Sequence, residues 1–222
     1  LIVLWDSLVL GMKYLTISSN KQIQEEEEKI EGPALYLTLA FSLLIGLVIF
    51  FLLPTLLMQL LYKTTHLSSI VINLIEGVVR MAIMILYLVL IRRMEDIKRV
   101  FSYHGAEHKT INAFEAGAEL TPKNVSEFTL VHPRCGTSFM LTLVLLSILV
   151  FSLVGPLPVL WRLVSRVLML PILAGLAYEY IRWAAGMMNK SRLVRALTTP
   201  NLWLQKLSTR QPTLEMLEVS IK

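Results

Sequence analysis

Two histidines four positions apart, His104 and His108, bracket Glu107 in the stretch YHGAEHK, and a second pair, His132 and Cys135, follows in HPRCG. Together they include three of the chain's four histidines and its only cysteine. On a helix, residues i and i+4 lie one turn apart on one face, so His104 and His108 can share one metal ion. H-x-x-E-H is also the order of the inverzincins, in which two histidines hold zinc and the glutamate activates a water. The expected site is Zn2+ on His104, His108 and His132, with Glu107 as general base. Cys135 leaves alternatives open. As a fourth ligand it would close the site, the mark of structural zinc; off the metal, it can pair with His132 as a nucleophile. The plain alternative is a polar helix face lined by His104 and His108 beside an inert buried thiol. Glu115 shares the stripe of His108, but about 10 Å along the axis puts it out of reach of the same ion.

The elements that must position these residues are mostly lipid-soluble. The chain is 55% hydrophobic and 17% charged, with a mean hydropathy of +0.63, which places it among integral membrane proteins. A span needs about 20 mainly apolar residues. Four segments qualify: 34–62, which carries no charge and has Pro54 as a kink point, 68–91, 138–154, and a fourth within 157–186, expected from about 167 onward. Residues 1–15 are apolar but interrupted by Asp6 and Lys13, which predicts an amphipathic interfacial helix. No cleaved signal peptide is expected. The run 22–31, with four consecutive glutamates, predicts a solvated stalk. One cysteine excludes an internal disulfide.

Lysine and arginine placement sets the orientation. Seven basic residues lie between the second and third spans, from Arg92 to Arg134, and seven more from Arg182 to Lys222, whereas the connection 155–158 has none. Both termini and the His-rich connection are therefore expected in the cytoplasm. The net charge of +5 reflects this bias and calls for no nucleic acid.

Within the connection, 91–116 predicts a helix continuing from the second span and stopped by Gly117. Thr121-Pro122 has the cap-plus-proline signature of a new helix start, ending near Phe128. His132 precedes Pro133 and is expected to be extended; Thr137 or Ser138 should cap the third span. In the membrane, Asn73, Glu76 and Arg80 of the second span, with Arg166 and Glu179 of the fourth, predict a polar seam, because charge at mid-bilayer must face protein or water. Arg162 and Arg182 are expected to snorkel to the interfaces.

YHGAEHK and HPRCGTSF, together with LWDSLVLGMK near the start and NLWLQKL near the end, resemble the bacterial YqhQ-like family of membrane proteins of unknown function. The resemblance covers most of the chain and implies a metal-dependent enzyme of the bacterial inner membrane.

The expected fold is an all-α, polytopic membrane helical bundle of four transmembrane helices, with an N-terminal amphipathic helix and a small cytoplasmic helical subdomain between spans two and three. Its expected divisions are 1–33, 34–91, 92–137, 138–186 and 187–222. The leading function is a zinc-dependent membrane hydrolase acting on a membrane peptide or lipid-linked substrate. The competing class is a non-catalytic subunit of a membrane complex, such as translocation or insertion machinery, with the His/Cys motif as a structural clip. A transporter would need oligomerisation, since four spans are few. The bilayer is the one firm partner; a homo-oligomer or complex partner is compatible.

Overall fold

The computed structural model describes residues 2–22, 33–64, 67–153 and 157–222, and among these there is no strand. The helices are α1 (Ile2–Gln22), α2 (Pro33–Leu47), α3 (Leu53–Thr64), α4 (Ser69–Ile91), α5 (Glu95–Glu115), α6 (Pro122–Ser126), α7 (Gly136–Leu153), α8 (Val159–Met187), α9 (Arg192–Ser208) and α10 (Leu214–Ile221). Among the described residues, four stretches are long and apolar enough to cross a membrane: Leu37–Leu61, Ile70–Ile91, Gly136–Leu153 and Leu160–Met187. The all-α membrane fold with four spans is as expected. The acidic stretch 23–32 lies outside the described residues.

Between α2 and α3 the first span passes through a π-helical turn, Val48–Leu52, where the Leu53 amide bonds back to the Val48 carbonyl. Pro54 follows directly, and its missing N–H is the local cause of an irregular turn. Helix α1 is longer than expected, and Ile2, Val3, Trp5, Val9, Leu10 and Tyr14 are exposed on it. The fourth span begins well before residue 167, because Arg162 and Arg166 are accommodated inside α8. Both are buried, so Arg162 does not snorkel, whereas Arg182 is exposed.

The chain divides into two units, with boundaries inside α4, α7 and α8. The first comprises residues 1–76 and 152–176. Its polar centre is Glu76, 1% exposed. Glu76 Oε1 accepts from the Thr55 hydroxyl at 2.9 Å and Oε2 pairs with Arg166 at 3.2 Å. Arg166 also donates to Asn73 Oδ1 at 3.3 Å. Three of the expected seam residues thus meet here.

The second unit comprises residues 77–151 and 177–222. Arg80 belongs to it, buried and donating to Ser147 of α7 at 2.9 Å. Glu179 stands exposed on α8. The continuous helix expected over 91–116 is broken: α4 stops at Ile91, Arg92–Met94 turn, and α5 restarts from Met94 in extended geometry. Charge favours this break. Arg92 and Arg93 suit the negative C-terminus of α4, while Glu95 and Asp96 suit the positive N-terminus of α5.

Helix α5 ends in a Schellman motif: Gly117 has φ 67°, the Ala118 amide bonds the Ala113 carbonyl, and the Gly117 amide bonds the Phe114 carbonyl. Thr121 then caps α6 with Pro122 at its first position, as expected. Ala106 and Ala113 of α5, Val125 of α6 and Leu217 of α10 form a fully buried core, with Phe128 and Met216 against it. The segment after the fourth span therefore folds as α9 and α10, and α10 packs on α5 and α6.

Candidate metal centre

Helix α5 sets His104 and His108 one turn apart, their ring centroids 4.4 Å apart in an edge contact. Two backbone carbonyls fix their orientation. His104 Nδ1 lies 2.8 Å from the Ser208 carbonyl and His108 Nδ1 lies 2.6 Å from the Leu130 carbonyl. A carbonyl only accepts, so each Nδ1 carries a proton and donates. The Nε2 atoms are left for another partner, the arrangement that orients metal-ligating histidines.

That partner is Cys135, whose Sγ is 3.3 Å from His104 Nε2. One donor atom from each of His104, His108 and Cys135 lies within 4.8 Å of the others. Cys135, 4% exposed, sits at the start of α7: its carbonyl takes the Phe139 amide and its sulfur accepts from the Thr137 amide at 3.4 Å. The cysteine, not Thr137 or Ser138, caps the third span. Burial pushes the thiol up, but hydrogen bonds from His104 and His108 outweigh it and bring the pKa down to about 5. Burial pushes His104 down, yet its contact with the Cys135 sulfur, the Ser208 carbonyl and the charge of Glu107 together raise it.

His132 is not in this group, against the expectation that it would be the third ligand. Its Nδ1 accepts from the Arg134 amide at 3.3 Å and its Nε2 faces Glu115 Oε2 at 3.5 Å. Glu115 also binds Arg134. The turn at Pro133 sends His132 toward the C-terminal end of α5 and Cys135 toward its middle. His132 still borders the site, its ring centroid 5.9 Å from that of His108. Burial and the charge of His108 lower its pKa, outweighing Cys135 and Glu107. Glu107 is exposed on α5, and its charge acts on both His104 and His132.

Side chains of α5 lay the loop 126–131 along the helix. Lys109, itself buried, donates to the carbonyls of Ser126, at 2.7 Å, and Phe128. Asn112 donates to those of Thr129 and Val131, at 2.9 and 3.1 Å. Helix α9 braces the other side. Gln205 accepts from the His132 amide at 2.9 Å and donates to the His132 carbonyl at 2.7 Å and to Ser138 at 2.6 Å. Ser208 bonds Thr137 at 2.7 Å and Asn201 donates to Thr142 at 3.0 Å. Sequence reasoning missed this brace. Its signal was the polar stripe Thr198, Asn201, Gln205 and Ser208, three or four residues apart and buried on one face of α9.

Two softer nitrogen donors and one thiolate-prone sulfur fit zinc, which takes nitrogen and sulfur ligands. With three protein donors the set also resembles sites that keep one coordination position open. The family model described as "Protein of unknown function (DUF1385)" matches residues 1–222. The chain is 33% identical over 228 residues to "Uncharacterized protein YqhQ" of Bacillus subtilis (strain 168), an alignment covering 96% of this chain and 70% of that protein. No solved structure matches.

Proposed function

We propose that this chain, which belongs to the DUF1385 family, is a zinc-dependent hydrolase of the bacterial cytoplasmic membrane with its site and both termini on the cytoplasmic side. The observation that carries the reading is the convergence of His104, His108 and Cys135 donor atoms while both Nδ1 atoms are tied to backbone carbonyls. Zinc held there would supply Lewis acidity and a water made nucleophilic near neutral pH. The carbonyls of Ser208 and Leu130 fix the tautomers. Glu107, beside the two histidines and open to solvent, is the group placed to take the proton from that water. His132, held by Glu115 and Gln205, shapes the wall of the site rather than binding the ion.

Purified full-length protein should carry one zinc per chain. His108→Ala should lose it, and Glu107→Gln should keep it. Absence of stoichiometric metal from protein purified without chelator would overturn the reading. A second reading, a structural clip in a non-catalytic subunit of a membrane complex, draws on the burial of His108 and Cys135, 3% and 4% exposed. X-ray absorption separates the two: three protein ligands with one exchangeable position support the hydrolase, four protein ligands the clip.

A further inference from the structure

A cavity of about 550 Å3 opens beside the candidate metal centre, its lining including Arg92, Lys109, Thr129, Lys206, Thr209 and Arg210. Four of these residues are basic and none is acidic. Among the described residues, the side chains of Arg92, Lys206 and Arg210 make no hydrogen bond and no ion pair within 4.0 Å. The Glu95 carboxylate feels the charge of Arg210 but bonds Lys98. Lys109 is 4% exposed and spends two of its three N–H donors on the Ser126 and Phe128 carbonyls. Three unneutralised cations around one concavity, with the Thr129 hydroxyl, whose proton is not spent within the fold, make a donor set of the kind that takes phosphate.

Its position says how the anion arrives. Arg92 is the first residue after the span Ile70–Ile91, so this cavity begins where the chain leaves the apolar layer. Lys206 comes from α9, which also exposes Leu193, Leu197 and Trp203, the composition of a helix lying in a membrane interface. The cavity also touches the metal centre through the chain itself: Leu130 supplies the carbonyl that orients His108, and Thr209 follows the Ser208 carbonyl that orients His104.

We infer that this cavity binds the phosphate headgroup of a membrane amphiphile and presents it to the adjoining centre. As a statement of substrate class it rests on the hydrolase reading; as a binding site it does not. The test uses the full chain in neutral detergent with three probes: short-chain phosphatidic acid, the matching diacylglycerol, and inorganic phosphate. Binding is read by intrinsic tryptophan fluorescence and native mass spectrometry. Phosphatidic acid should bind more tightly than either other probe, and more weakly as salt rises. Arg92→Gln with Arg210→Gln should weaken it by about tenfold or more, given the worth of charge-assisted hydrogen bonds. Unchanged zinc content and Tm in that variant would show that the fold is intact. Lys206→Gln, on an exposed helix position, gives a second, milder variant with the same expected direction. Equal binding of diacylglycerol, equal binding of inorganic phosphate, or wild-type affinity in both variants would overturn the inference. His108→Ala separates the two claims: retained lipid binding without metal leaves this site standing whatever becomes of the hydrolase.

Discussion

Cys135 combines three influences that favour a thiolate: two imidazoles and the amide end of α7. In metal-free protein its ultraviolet thiolate absorbance should titrate near 5, and His104→Ala should move the midpoint up toward the ordinary thiol value. A midpoint near that ordinary value in the wild-type protein would contradict the geometry. The linkage has two signs. The depressed thiol adds stability that is complete above its unfolded value of 9.0 and is lost as pH falls toward about 5. The raised His104 adds stability that is complete below its unfolded value of 6.5 and is lost as pH rises through its folded value. The pair therefore stabilises the metal-free fold most between those limits. The same proton on His104 competes with zinc, so zinc affinity should fall as pH drops through the raised His104 value, well before Cys135 reprotonates. Isothermal titration across pH checks this. The pairing of His104 with His108 was legible from spacing alone. The choice of Cys135 over His132 was not, because it depends on which way a proline turn faces.

At the scale of elements, Gly105 explains how a distant segment reaches the site. A Cβ there would stand 2.1 Å from the Arg210 carbonyl oxygen, a backbone atom that cannot swing aside. The Arg210 amide meanwhile bonds the Phe101 carbonyl at 2.9 Å, holding the strand of chain after α9 against α5. Gly105→Ala should cost about 1–3 kcal/mol and release Ser208 from His104, so that Tm and zinc content fall together. Retention of both would mean the contact is adjustable. Helix ends with local chemistry were readable in the sequence: Gly117 as a stop, Thr121-Pro122 as a start. The turn at Arg92–Met94 and the docking of α9 were not. The first is decided by opposed helix dipoles meeting at RRMED, the second by buried polar side chains that read as a hydrophilic tail until α7 supplies their partners.

Across the whole molecule, composition was the most legible layer, since length and apolarity alone mark four spans. The buried charges were legible as a group but not as pairs. Glu76 has Arg166 and Thr55 on its two oxygens, a pairing set by helix contacts that no local spacing encodes. Glu76→Leu leaves Arg166 a buried charge and should destabilise by about 3–5 kcal/mol, while adding Arg166→Met should recover much of it. A single replacement as mild as the double would argue for water at that position. Orientation is the property on which the proposed chemistry depends, because a free thiol of low pKa persists in a reducing compartment and oxidises outside one. The seven basic residues between the second and third spans, and the seven from Arg182 onward, predict that both segments lie on one side. Both also contribute to one folded unit, since Ser208 and Gln205 bond His104 and His132. A membrane cannot separate them, so one labelling result must hold for both. In a Cys135→Ser background, Glu127→Cys and Glu218→Cys, each at an exposed position, should react with an impermeant maleimide only after the cytoplasmic face is opened. Labelling of both in intact cells would place the site outside and end the cytoplasmic hydrolase; labelling of one alone would break the folded unit itself.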